Sequence, residues 1–181
     1  KLSLYSSTIT DNDYLNGSFF IVSLIIANLF FSVPISIIRT FYIEDKFGFN
    51  NTTYKTFMLD KIKSLMLSTI ISVPLFLSVA YFINTFKDVW WLYSFAFFML
   101  FQLLLLWIYP TVIAPLFNKF KKLDNPDYEE KINSLLDKTG FEAKGLFVMD
   151  GSTRSNHGNA YFTGFGKNKR IVFYDTLLST L

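Results

Sequence analysis

"VWWLYSFAFFMLFQLLLLWIYPTVIAPLFN", Val89–Asn118, carries no charged side chain from end to end. A helix rises about 1.5 Å per residue, so roughly 20 residues cross a hydrocarbon core about 30 Å thick. This run exceeds that length. Trp90, Trp91 and Tyr93 stand at one end, and Trp107 and Tyr109 near the other. That is the placement of an interfacial aromatic belt. Two more uncharged runs precede it, Tyr14–Ile38 with "SFFIVSLIIANLFFSVPISII" (Ser18–Ile38) at its core, and Ser64–Phe86. Buried helices of a soluble protein rarely run past about 18 residues without a charge. The expectation is an α-helical integral membrane bundle, with spans at about 18–38, 64–86 and 90–114, followed by a partial α+β lobe. The membrane region is placed at 1–116 and the lobe at 117–181.

Composition agrees. Of 181 residues, 51% are hydrophobic, 22 are Phe and 17% are charged, against about 25% charged in an ordinary soluble domain. The net charge of +3 points to no nucleic-acid partner; the lysines read as loop residues beside a membrane. The absence of cysteine excludes disulfides and thiolate metal sites. The first residue is Lys rather than Met, so the sequence is expected to be a piece of a longer chain.

The loops set an orientation. Arg39, Lys46, Lys55, Lys61 and Lys63 fall between the first two spans, Lys87 alone between the second and third, and Lys119, Lys121 and Lys122 after the third. Cytoplasmic loops are rich in Lys and Arg, so the 39–63 loop and the lobe are expected inside and the Asn84–Asp88 hairpin outside. Asn28 and Gln102 are polar at membrane depth and are expected to face other helices. Pro34, Pro74 and Pro110 interrupt the spans, which membrane helices tolerate. The sequons at Asn16 and Asn51 are read as accidental.

The lobe opens with "LDNPDYEEKINSLLDKTGF", an amphipathic helix. Asn125 is its N-cap, Pro126 its first residue, and Gly140 lies just past its end. Tyr128, Ile132, Leu135 and Leu136 are expected on one apolar face. Strands are expected at "GLFVMD" (Gly145–Asp150), "NAYF" (Asn159–Phe162) and "RIVFYD" (Arg170–Asp175), with a turn at "TGFGKNK" (Thr163–Lys169). Asp175 is placed as the cap of a helix starting at "TLLSTL".

No complete reactive constellation stands in the sequence. A zinc hydrolase needs two or three converging His or carboxylate ligands, and His157 is the only histidine. It is read as a loop residue rather than a ligand. Ser152 lies in "DGSTRS" without a nucleophile elbow, and "GFGKNK" lacks the ending of a phosphate-binding loop. What remains is the short "NAYF" strand. An edge strand offers N–H and C=O groups to an extended peptide. Asn159 can both donate and accept, and can equally cap its own loop.

Three stretches carry a resemblance: "YIEDKFGFNNTT" (Tyr42–Thr53), "YPTVIAPLFNKFKKL" (Tyr109–Leu123) and "VMDGSTRSNHGNAYFTGFGKNKRIVFYDTLL" (Val148–Leu178). Together they resemble the type 1 CAAX prenyl proteases, integral-membrane zinc endopeptidases with a thermolysin-like catalytic lobe. The likeness runs from about Phe20 onward. It implies seven membrane helices around an enclosed chamber and a Zn2+ cofactor. The zinc-binding His-Glu-x-x-His helix and third ligand are then expected downstream of Leu181, so these residues alone are expected to be inactive, with no catalytic or metal residue among them. The resemblance gives Asn159, Ala160 and Tyr161 the task of holding substrate: Asn159 bonds its backbone, and Ala160 supplies edge groups beside a small side chain. Expected partners are a peptide or protein substrate (CAAX-type or a membrane protein), the bilayer and the remaining helices. Arg154 and Arg170 are expected to meet acidic groups in that remainder. A bacterial inner membrane is the expected location, with the endoplasmic reticulum as alternative. The competing reading is a non-catalytic scaffold or pseudoprotease that keeps a peptide-binding edge strand.

Overall fold

A computed structural model describes residues 12–164 and 169–180. Helix α1 spans Asp13–Ile38 and runs directly into a π-helical stretch, Arg39–Glu44. Asn12 caps α1 through its side-chain oxygen, which accepts from the Tyr14 and Leu15 amides at 3.0 and 3.3 Å. Helix α2 spans Tyr54–Phe86, and α3 spans Trp90–Ile108. A three-residue 3₁₀ turn, Lys87–Val89, joins them, with Lys87 at a positive φ of 35°. The chain reverses there. The Phe86 and Tyr93 rings stack at 3.9 Å, and Phe82 lies 5.8 Å from Phe97. In a straight helix Phe82 and Phe97 would be about 20 Å apart, and Phe86 and Tyr93 about 10 Å.

Among the described residues, two apolar stretches are long enough to cross a membrane, Tyr14–Glu44 and Tyr54–Phe117. The reversal at Lys87 falls within the second. The lipid-facing character shows in exposure: Phe30 is 73%, Phe31 70% and Leu100 68% exposed, which in water would form a large sticky surface. Asn28 does not stand alone. It lines a groove with Ser68 and Ser72, between α1 and α2. Gln102 is exposed in this chain.

After α3 comes a second π-helical stretch, Tyr109–Ile113, and the short helix α4, Ala114–Phe117. The lobe follows: β1 (Phe120–Lys122), α5 (Pro126–Thr139), β2 (Leu146–Met149), β3 (Ala160–Thr163), β4 (Arg170–Tyr174) and α6 (Asp175–Leu178). Helix α5 is capped as its sequence dictates. The Asn125 side chain accepts from the Tyr128 amide at 3.2 Å, and Gly140 takes the left-handed conformation at φ 64°. Its apolar stripe is narrower than expected. Tyr128, Ile132 and Leu136 are half-buried, whereas Leu135 is 59% exposed. Positions i, i+4 and i+8 stay on one line, and i+7 falls off its rim.

The strands form one sheet in the order β1-β2-β4-β3. β1 pairs antiparallel with β2, β2 parallel with β4, and β3 antiparallel with β4. Strands β2 to β4 follow the alternation in the sequence; β1 was not among the expected strands. The core sits at the sheet centre, where Val172 is 1% exposed beside buried Leu146 and Met149. The expected turn at Thr163–Lys169 lies in part, at 165–168, outside the described residues.

The described residues fall into two compact units. One takes the chain up to Arg39 together with Tyr54–Gln102; the other takes Thr40–Thr53 together with the chain from Leu103 onward. The Thr40–Thr53 loop therefore packs with the lobe.

Candidate functional site

The site is built on β3, an edge of the sheet among the described residues. Its register is Ala160↔Phe173, Tyr161↔Val172, Phe162↔Ile171 and Thr163↔Arg170. The Tyr174 amide donates to the Asn159 carbonyl at 2.9 Å, which fixes the phase of the ladder. Antiparallel residues alternate between bonded and non-bonded pairs. Asn159, Tyr161 and Thr163 thus turn their main chain toward β4, while Ala160 and Phe162 turn theirs away from it. Side chains alternate as well. Those of Ala160 and Phe162 are exposed, and those of Tyr161 and Thr163 are half-buried.

The predicted residues divide accordingly. Asn159 is exposed. Its side-chain oxygen accepts from the Ala160 amide at 2.8 Å, so half of the amide group caps its own strand. Its Nδ2 supplies two donors. Ala160 brings a small side chain and an outward carbonyl. Tyr161 plays a different part. Its hydroxyl lies 3.8 Å from the Met149 sulfur, and its ring meets Tyr174 edge-on at 6.1 Å. Burial, then the neighbouring Tyr109 and Tyr174 hydroxyls, push its pKa up to about 12. Tyr161 is thus a neutral packing residue on the covered face. The residue that sequence reasoning passed over is Phe162. Its main chain faces outward two positions after Ala160, and its side chain is 70% exposed with an edge contact to Phe141 at 5.7 Å. The period of two, counted on from Ala160, was the signal that marks it.

The approach to β3 is held by hydrogen bonds that the sequence does not announce. Asp175 accepts from the Ser152 amide at 2.8 Å and from the Ser152 hydroxyl, and also from the Thr176 amide at 2.8 Å. Asp175 is the first residue of α6 rather than its cap, which is Tyr174, and its carboxylate fastens the turn Gly151–Thr153 to the start of that helix. Arg154 reaches the segment that follows the third long helix. It donates to the Phe117 carbonyl and, at 2.9 Å, to the Asn118 side chain. Arg170 donates to the Pro110 carbonyl at 3.2 Å and lies over the Phe147 ring. Both side chains reach main chain near the end of the third long helix, and among the described residues the Arg170 Nε is buried with no hydrogen-bond partner. Phe117 ends α4, and five residues after Pro110 stands Pro115, which has no N–H to give; a guanidinium fork suits such carbonyls.

His157 stacks on Phe49 at 4.0 Å with ring planes 23° apart. Among the described residues no group of three His, Cys, Asp or Glu side chains is placed to hold a metal. The residues described do not fit a zinc ion.

Comparison with known proteins bears on this geometry. A family described as "CAAX prenyl protease N-terminal, five membrane helices" matches residues 1–119, and "Peptidase family M48" matches residues 122–181. The chain is 41% identical over 168 residues to the CAAX prenyl protease 1 homolog of Arabidopsis thaliana, covering 93% of this chain and 40% of that protein. It is 42% identical over 150 residues to CAAX prenyl protease 1 of Saccharomyces cerevisiae, covering 82% and 33%. The crystal structure of S. mikatae Ste24p superposes with a TM-score of 0.90 at 35% identity, covering 99% of this chain and 43% of that one. The chain thus spans about 40% of the length of relatives such as the plant protein. These relatives are eukaryotic, and the expectation of a bacterial inner membrane finds no support in them.

Proposed function

The chain belongs to the CAAX prenyl protease family of M48 peptidases, and on that premise we propose that it contributes the membrane region and the substrate-holding strand of a membrane-embedded zinc endopeptidase. Multiple spans and a family of peptidases make a peptide substrate and a bilayer its natural partners. The finer reading is that an extended peptide, of CAAX type or from a membrane protein, adds to the outer edge of β3. The observation that carries it is the register of that strand. The Ala160 carbonyl and both main-chain groups of Phe162 face away from β4, and Asn159 stands exposed beside them. Strand addition gives affinity through main-chain hydrogen bonds and needs an edge of this kind.

The family resemblance supplies the rest. Zinc would be held by residues outside those described, and when bound it lowers the pKa of a water and polarises the scissile carbonyl. This chain's residues hold the peptide in extended form and in register. The lobe and the Thr40–Thr53 loop are assigned to the cytoplasmic side by the Lys and Arg they carry, with residues 117–181 as the first part of the peptidase domain. The endoplasmic reticulum is the membrane that suits eukaryotic relatives.

The test is Asn159→Ala in the intact enzyme. The expected result is a fall in kcat/KM of roughly tenfold or more, the scale of losing a hydrogen bond worth 1.5 kcal/mol, with zinc content unchanged. Unaltered turnover removes Asn159 from the site. An intact protein that binds no zinc and cleaves no peptide turns the account toward the scaffold reading.

A further inference from the structure

The loop between the first two passes lies against the segment that leads into β3, and the contact is dense. The Asn51 Nδ2 donates to the Ser152 carbonyl at 3.0 Å and also to the Asn156 side-chain oxygen. The Asn51 amide donates to the Arg154 carbonyl at 3.0 Å, and the Thr52 hydroxyl to the same carbonyl at 3.0 Å. In return, the Asn156 amide donates to the Phe49 carbonyl at 3.0 Å and its Nδ2 to the Gly48 carbonyl at 2.8 Å. Asn50 and Ser155 form an isolated antiparallel bridge, and Phe49 stacks on His157.

On its other side the same segment meets α6. The Thr176 hydroxyl donates to the His157 carbonyl at 2.9 Å. A Cβ at Gly158 would come 3.3 Å from the Leu177 Cα, a tight contact, so the two segments pass close there. Residues 156–158 are thus gripped from two sides immediately before Asn159. An edge strand of four residues with one pairing neighbour does not fix its own entry angle well.

We infer that Asn51 is a positioning residue for the peptide-holding strand: through Asn156 it sets the direction in which the chain enters Asn159 and β3. The inference rests on the reading of β3 as the strand that holds substrate. Asn51 touches no substrate. It acts through the loop, and its side chain is suited to that task because one amide nitrogen bridges two acceptors on neighbouring turns.

The experiment uses the intact enzyme in membranes and a peptide substrate, in four forms: wild type, Asn51→Ala, Asn159→Ala and the double variant. A positioning role acts through Asn159. Asn51→Ala is then expected to lower kcat about tenfold with KM changed less than threefold and zinc content unchanged. In the Asn159→Ala background it is expected to cost less than about twofold more. The same factor in both backgrounds, which a loss of properly folded enzyme would give, overturns the inference while leaving the substrate-strand reading intact. No effect in wild type also overturns it. No effect of Asn159→Ala alone sinks the substrate-strand reading itself, and the positioning role with it. If Asn51→Ala does not assemble, Thr52→Val keeps the shape and deletes one bond of the same clasp; a threefold fall in kcat in wild type that vanishes beside Asn159→Ala supports the inference, and its persistence there overturns it.

Discussion

The two edges of the sheet are built differently. At one, β1 carries Lys121 and Lys122, both exposed, and its ends are tied down by the Lys119–Asp150 and Leu123–Leu146 bonds. Lysines on an edge repel further strands, a common protection against unwanted pairing. At the other, β3 reads Ala-Tyr-Phe-Thr and carries no charge. It is uncharged, and its Phe162 is exposed. The uncharged edge is the one that the proposal assigns to the peptide. The difference lies in side chains alone, since both strands pair antiparallel with a single neighbour.

Proline tests this comparison most severely. It removes one N–H, and it is tolerated on an edge when that N–H points away from the ladder. Phe162→Pro deletes an outward amide of β3, and a fall in kcat/KM of about a hundredfold or more is expected from the lost bond and the blocked edge. Lys122→Pro is the matched change on β1, where the bond from the Leu123 amide to the Leu146 carbonyl puts Lys122 in the outward phase. Its kcat/KM is expected to stay within about twofold of wild type. Equal losses at the two edges, measured with one peptide, would erase the distinction.

A smaller effect concerns what holds the sheet beneath the membrane exit. Arg154→Ala leaves the Phe117 carbonyl and the Asn118 side chain without the guanidinium. Charge-assisted bonds of this kind contribute about 1.5–3 kcal/mol, and thermal unfolding of the intact protein should shift by a corresponding few degrees. A variant that melts like wild type would show the clamp to be idle. The smallest effect belongs to Tyr161, on the inner face of β3. Its folded pKa is raised from 10.0 to about 12. Its contribution to stability is therefore complete below about pH 10 and is lost as pH rises toward 12, because the unfolded chain gives up that proton first. The fall in melting temperature across this window should be shallower in Tyr161→Phe than in wild type; parallel curves would mean that Tyr161 titrates normally.

Much of this was legible in the residues, and the parts that were not share a cause. The long apolar helices follow from uncharged runs, α5 from Asn125, Pro126 and Gly140, and β2 to β4 from short apolar runs between glycine and polar turns. Those signals are local. β1 escaped because Phe-Lys-Lys has no alternation of its own and is a strand only by pairing with β2. The π-helical stretches escaped because a proline signals disruption without saying how the backbone will absorb it. The bonds of Arg154 to the Phe117 carbonyl and of Arg170 to the Pro110 carbonyl escaped because they join stretches far apart in the chain. Most distant from the sequence was the clasp of Asn51 on Asn156: nothing in either stretch records the other. At the site, Asn159 and Ala160 were visible as a motif, but the phase that turns Phe162 outward needed the bond between Tyr174 and Asn159.

The central claim is that a peptide pairs with the outer edge of β3. Residue-resolved amide hydrogen exchange in the intact enzyme, with and without a saturating uncleavable peptide, tests it most directly. The Phe162 amide is expected to exchange freely in the unliganded enzyme and to slow at least tenfold on binding, while the Tyr161 amide, already bonded to β4, changes little. A Phe162 amide that is protected without peptide, or that exchanges equally fast with it, would contradict the account.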